Sequence, residues 1–395
     1  MVLSLGPMPL ANALLSADEL GEVEPRYALD LAFCRACALV QITETVSPEA
    51  LFREYLYFSS FSDTMLRHAR SLVDRLITER GLTPDSRVIE LASNDGYLLQ
   101  YYKQRGIPVL GIEPAVNVAQ AARRERGIPT LTEFFGLELA RRLSGEAQQA
   151  DVIHAHNVLA HVADLNGFVA GLGELLRPGG VAVIEVPYVR EMIKRRAFDT
   201  IYHEHLCYFS LVSLERLFAR HRLLIEHVEQ VEIHGGSLRL FVGRPGDAVS
   251  VRESVAELRE QERAWGADRV AAYEGFGREA ATLRSSLLAL LRDLKAQGRR
   301  IAGYGAAAKG TVLLNYAGLG PDTLEFVADR NPHKHGRYVP GVRVPIRPAE
   351  ALLEKQPDYA LLLAWNLAGE VLEQQAEYRR RGGRFIVPIP ELRIT

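Results

Sequence analysis

Cysteine is nearly missing from this chain: three occur in 395 residues, two of them Cys34 and Cys37. So few exclude a disulfide framework and suit a reducing compartment. Also absent is any window of about 18 apolar residues, and no basic segment followed by an apolar run opens the chain, so neither a membrane span nor a secretory signal is expected. The reading is a cytoplasmic protein. Charge of one sign is lacking too: 47 Lys and Arg against 49 Asp and Glu leave a formal net charge of -2. That balance gives no reason to expect nucleic acid or an anionic membrane as a partner, although local groups can still hold a small anion. What is present is ordinary for a globular protein, 48% hydrophobic and 24% charged, over a length that allows two or three domains.

Histidine is sparse as well, 11 in all, which makes the run Tyr202-His203-Glu204-His205-Leu206-Cys207-Tyr208 conspicuous. Imidazole titrates near neutral pH, and a neighbouring carboxylate or phenol can orient and tune it, so the density suits proton transfer. Strand-like alternation would put Tyr202, Glu204 and Leu206 on one face and His203 and His205 on the other. The two imidazoles would then share a cleft. A metal clip and a polar strand edge are the competing readings.

Residues 1–70 form a small, turn-rich unit broken by Pro7, Pro9, Pro25 and Pro48. Cys34 and Cys37 have the spacing of one zinc knuckle, but a closed site needs four ligands and no second pair follows, so two core thiols are the plainer expectation. Tyr55 and Tyr57 then bring phenols that could line a pocket, ahead of a helical run reaching Arg80.

From Arg87 to Pro187 strands and helices alternate, the pattern of a doubly wound α/β sheet. The buried strand ending at Glu90 runs into Ser93-Asn94-Asp95-Gly96, and ligands bind at such strand ends. Glu113 closes the next strand 23 residues later, where a carboxylate can accept both hydroxyls of a ribose. Farther on, Ser237 and Arg239 fall on one face of a strand after a glycine turn and could hold phosphate, or could belong to an ordinary hairpin. Residues 246–299 read as helix, with Phe276, Ala280, Leu283, Leu287, Leu290 and Leu294 as a core stripe. A second α/β unit spans 300–395. Gly303-Tyr304-Gly305-Ala306-Ala307-Ala308-Lys309 approximates a dinucleotide turn whose helix N-terminus could hold a diphosphate, with Lys309 assisting. Two ligands compete there, a nicotinamide cofactor or another diphosphate nucleotide.

The region from Glu90 to Val186 resembles the class I S-adenosylmethionine-dependent methyltransferases: acidic strand end, loop glycine at Gly96, second acidic residue at Glu113, and the Arg177-Pro178-Gly179-Gly180 turn. The first loop is poorer in glycine than that family's. Over nearly its full length the chain is similar to the NDP-sugar C-methyltransferases of deoxysugar biosynthesis. The similarity is carried by Pro9-Leu10-Ala11-Asn12, Phe33-Cys34-Arg35-Ala36-Cys37, Glu54-Tyr55-Leu56-Tyr57-Phe58-Ser59-Ser60, Asn157-Val158-Leu159-Ala160-His161-Val162, Tyr202-His203-Glu204-His205, His234-Gly235-Gly236-Ser237 and the Gly303 turn.

The resemblance implies a class I methyltransferase domain over 71–190, a catalytic and connecting segment over 191–245, a C-terminal Rossmann-like domain and a small N-terminal domain of zinc-binding type. It implies methyl transfer from S-adenosylmethionine to a carbon beside the ketone of a nucleotide-linked 4-keto-6-deoxyhexose, usually carbon 3 and usually dTDP-linked. His205 is expected as base, oriented by Glu204 and Tyr202, with His161 and Tyr55 or Tyr57 stabilising the enolate oxygen. Cofactor contacts are expected at Glu90, Ser93, Asn94, Gly96, Glu113 and Asn157, and sugar-nucleotide contacts at His203, Ser237, Arg239, Lys309 and Asn315. Relatives carry an earlier Cys-x-x-Cys just upstream of the Leu5-Gly6 segment and this chain starts inside that region, so zinc at Cys34 and Cys37 is the weaker expectation. Methylation of another carbonyl compound and a nicotinamide-dependent oxidoreductase are the alternative functions.

Overall fold

The computed structural model describes residues 1–52, 58–246 and 251–395, and their strands form three sheets. Tyr55 and Tyr57 lie outside the described residues. No described helix is long and apolar enough to cross a membrane.

The first sheet is antiparallel and small: Leu3–Met8, Tyr27–Phe33, Val40–Ile42 and, from far along the chain, Cys207–Tyr208. Period-two alternation buries Leu29 and Leu31 beside Val40 and Ile42 on its inner face. Only two residues of the histidine-rich run are strand. Tyr202 to His205 form a turn closed by the His205 amide on the Tyr202 carbonyl at 2.8 Å. The expected alternation therefore fails, and His203 and His205 do not share a cleft.

The second sheet has seven strands. Five are parallel, in spatial order Leu176–Pro187, Ala150–His156, Val88–Leu91, Val109–Ile112 and Thr130–Leu131. Ser237–Gly243 then runs antiparallel beside Leu176–Pro187, and Leu224–Val231 pairs with it at the edge. These last two strands complete the central sheet, whose pairing runs past residue 190 to Gly243. Their apolar residues, Leu238, Leu240 and Val242, are fully buried because helices cover both faces. The strand order reverses between Val88–Leu91 and Ala150–His156, which opens a crevice at their carboxyl ends.

The third sheet repeats the scheme with Ile301–Tyr304 at its centre, flanked by Val327–Asp329 and Tyr359–Leu362; its outer strands are Ile346–Pro348, Arg384–Val387 and antiparallel Arg393–Ile394. Joining the second and third sheets is the long helix Phe276–Ala296. It buries Phe276, Ala280, Leu283, Leu287, Leu291 and Leu294, while Leu290 is only partly covered. A 3.6-residue period moves the stripe from 287 to 291, one residue beyond the expected position.

Candidate active site

The carboxyl ends of the second and third sheets face one cavity of about 1050 Å³, lined from both sides by residues as distant in sequence as Asn94, His205 and Lys309. On the second-sheet side three non-glycine residues bordering it, Ala92, Asn94 and Asn157, hold φ of 51°, 49° and 55°. Left-handed backbone at such residues is uncommon and gathers at functional turns. Gly96 has φ 77°, and a Cβ there would meet Ile128 at 2.8 Å, so this turn needs its one glycine.

Glu113 accepts the Asn94 amide and the Ala115 amide, each at 2.9 Å, which pins the turn to the end of the neighbouring strand. Burial, with Asp95 nearby, lifts its carboxyl to about 7. Glu90 is buried beneath the turn and is pushed well above the usual carboxylate range by burial and by Asp95 and Glu113. Glu90 Oε2, Ser93 Oγ, Asp95 Oδ1 and Asn157 Oδ1 are buried without hydrogen-bond partners. A cluster of acceptors and repelled carboxylates is relieved by a cation that also brings hydroxyl and amine donors. S-adenosylmethionine, with a sulfonium, an ammonium and a ribose, has that chemistry, and the residues fit it.

The reactive groups lie between the sheets. His205 Nδ1 faces the Thr200 carbonyl at 2.8 Å, so that nitrogen carries the proton and Nε2 the lone pair. The Tyr202 hydroxyl donates to Nε2 at 2.8 Å, and the His161 ring stands edge-on to His205 with centroids 4.8 Å apart. His161 opens on the cavity but is otherwise packed in protein, and burial depresses its imidazole to about 4 although the Glu204 and Asn157 carbonyls favour its proton. It is therefore a neutral ring near pH 7, suited to donate rather than to carry charge.

On the third-sheet side Lys309 Nζ is buried without a hydrogen-bond partner and lies 5.0 Å from the centroid of the Trp365 ring. Trp365 Nε1 donates at 2.7 Å to Asp199, a buried carboxyl lifted to about 6 by burial, which Lys309 counteracts. Asp329 takes the Ala306 and Asn331 amides at 2.7 and 2.8 Å and so shapes the turn above it.

Several expected contacts are corrected by this geometry. Glu204 Oε1 accepts Asn12 Nδ2 at 2.6 Å, while the two His205 nitrogens meet Thr200 and Tyr202. His203 points into the first sheet, where its Nε2 meets the Tyr27 carbonyl at 3.3 Å. Ser237 Oγ donates to the Ile233 carbonyl, and Asn315 Nδ2 to the Thr311 and Pro340 carbonyls, so neither is turned to the cavity. Arg239 is buried in a charged network: Nε to Glu185 at 2.6 Å and Nη1 to Glu229 at 2.9 Å. Neither Ser237 nor Arg239 lines the cavity, which removes them as phosphate contacts.

Residues 232–390 match the family described as C-methyltransferase C-terminal domain, residues 64–228 a methyltransferase domain, and residues 1–52 a putative zinc binding domain. Along all of its length the chain is 37% identical to the C-methyltransferase NovU of Streptomyces niveus, covering 93% of that protein. The chain belongs to the S-adenosylmethionine-dependent C-methyltransferases. A ubiquinone biosynthesis O-methyltransferase of Methylocella silvestris shares 32% identity with 29% of this C-methyltransferase, over 48% of its own length. Among solved structures, the PH0226 protein of Pyrococcus horikoshii aligns with 50% of the chain and 97% of its own at TM-score 0.38 and 16% identity. Magnesium protoporphyrin IX methyltransferase of Synechocystis with bound SAM aligns with 45% of the chain and 79% of its own at TM-score 0.35 and 14% identity. Membership overturns the nicotinamide-dependent oxidoreductase as a reading of the Gly303 turn.

Cys34 and Cys37 are the one closely spaced cysteine pair in the C-methyltransferase. Backbone and thiol hydrogen bonds from Cys37, with the Ala36 amide, lower the Cys34 thiol, while burial raises Cys37 and lifts Cys207 to about 12. Among the described residues no group of three or more His, Cys, Asp or Glu is placed to hold a metal. These residues do not fit a closed tetrahedral zinc site. Sequence reasoning also missed Asn12 and Asp199 as parts of the site. Asn12 sits in the Pro9-Leu10-Ala11-Asn12 segment, which was its only signal, and Asp199 precedes the histidine-rich run without any spacing that marks it.

Proposed function

We propose that the enzyme methylates a carbon beside the ketone of a nucleotide-linked 4-keto-6-deoxyhexose, at carbon 3, with dTDP as the nucleotide. One observation carries this reading: a single cavity joins the S-adenosylmethionine turn at Asn94 and Glu113 to the third-sheet turn at Gly305 and Lys309, with His205 and His161 between them. A substrate with a nucleotide at one end and a reacting ring at the other fits that span. Lys309, its ammonium buried and free of hydrogen bonds, and the N-terminus of the helix Ala308–Ala317 suit a diphosphate.

Carbon becomes a nucleophile only when the proton beside the carbonyl is removed. His205 accepts it at Nε2, which holds the lone pair because Nδ1–H is held by Thr200. The substrate C–H displaces the Tyr202 hydroxyl from Nε2, and the freed phenol becomes a donor at the ring. The pair of electrons left behind moves onto the carbonyl oxygen. Such a carbon acid lies roughly 10 pKa units above imidazole, or about 14 kcal/mol. Neutral His161 therefore donates to the enolate oxygen, which lowers that barrier. S-adenosylmethionine, when bound, supplies an electrophilic methyl, and its sulfur keeps the electron pair of the bond that breaks.

The test is proton exchange read by mass spectrometry in deuterated buffer with a dTDP-4-keto-6-deoxyhexose. Wild type takes up one deuterium beside the ketone without S-adenosylmethionine and gains one methyl with it. His205→Asn loses the uptake by at least ~10³-fold, whereas Tyr202→Phe slows it by ~10–100-fold. Full exchange in His205→Asn would remove it as the base.

A further inference from the structure

We propose that Asn12 reads the substituent on the carbon that is methylated, accepting a hydrogen bond from a hydroxyl or amino group there; this deepens, and rests on, the sugar-nucleotide reading above. Asn12 comes from the N-terminal unit, yet it lines the cavity shared by His205, His161 and Tyr202. Its Nδ2 donates to Glu204 Oε1 at 2.6 Å. A carboxylate only accepts, so the amide cannot be turned round, and Oδ1 is fixed on the opposite side.

That oxygen has no partner within the described residues. Its carrier is nevertheless held firmly. The turn closes with the Ala13 amide on the Leu10 carbonyl at 3.2 Å and the Leu14 amide on the Asn12 carbonyl at 2.9 Å. From the third-sheet side, Thr311 Oγ1 donates to the Ala11 carbonyl at 2.9 Å. A rigidly placed acceptor without a partner is a specificity element, because a ligand lacking the matching donor leaves it unsatisfied.

Glu204 fixes where this acceptor acts. Its side chain holds Asn12, its carbonyl supports the His161 ring, and the next residue is His205. Asn12 Oδ1 therefore borders the carbon that gives up its proton, not the nucleotide end of the cavity. It selects an O–H or N–H donor at that carbon and disfavours a bare methylene.

The experiment compares two probes with the full chain and S-adenosylmethionine: a dTDP-4-keto-6-deoxyhexose with a hydroxyl on carbon 3, and its 3-deoxy counterpart. Wild type prefers the hydroxylated sugar in kcat/KM by ~10–100-fold. Asn12→Leu, similar in size, loses that preference while its S-adenosylhomocysteine affinity stays within twofold. A wild-type preference retained in Asn12→Leu overturns the proposal. Wild type that neither exchanges nor methylates either sugar overturns the sugar-nucleotide reading, and the Asn12 assignment falls with it.

Discussion

On the cofactor site proposed above, Glu113 ties binding to pH. Burial lifts it to about 7, so in the free protein it is largely neutral below that pH and ionised above it. Only the ionised form offers lone pairs on both oxygens to ribose hydroxyls while still accepting two backbone amides. S-adenosylhomocysteine affinity, followed by isothermal titration, should thus strengthen about three- to tenfold between pH 6 and 8. Glu113→Gln should bind more weakly and show no such rise. A parallel pH profile in the variant would assign the titration to another group.

At the scale of the element, the helix Leu211–Arg220 follows the strand Cys207–Tyr208 and anchors the far end of the histidine-rich run. Ser210 and Ser213 form a reciprocal cap, and buried Glu262 accepts the Leu211 and Val212 amides at 2.7 and 3.0 Å. Glu262→Gln removes an acceptor from a buried helix start and should cost about 1–3 kcal/mol in urea unfolding. An unchanged midpoint would mean that water or Ser210 replaces it. Elements of this kind were legible in the sequence where periodicity is long: the helix ending at Arg80, the parallel strands around Glu90 and Glu113, and the stripe from Phe276 to Leu294. The turn from Tyr202 to His205 was not, because Tyr, His and Glu fit a strand as well as a turn, and tertiary contacts with Asn12 and Thr200 decide between them. His161, His205 and Tyr202, candidates from the sequence, line one cavity, while the contact of Glu204 with Asn12 and the distant pairing of Arg239 with Glu185 and Glu229 depend on long-range packing that no local pattern encodes.

Across the whole molecule, the two walls of the cavity stand on different sheets, and side-chain hydrogen bonds join them. Asp199 to Trp365 is one, and Thr64 Oγ1 to Glu370 at 2.8 Å is another. Loss of the first should disturb turnover more than cofactor binding. Trp365→Phe, which removes the indole donor but keeps an aromatic ring beside Lys309, should raise KM for the sugar nucleotide by ~5–50-fold and leave S-adenosylhomocysteine affinity within twofold. Equal losses for both ligands would show that the two sides are one cooperative unit.

The strand Cys207–Tyr208 closes the sheet begun at Leu3. During synthesis the first three strands therefore emerge with an open edge at Val40–Ile42, and their last partner arrives only after more than one hundred and sixty further residues. Until then that edge is a template for pairing with any passing strand. A nascent chain of this enzyme is most exposed to aggregation before the ribosome reaches the segment that carries His205.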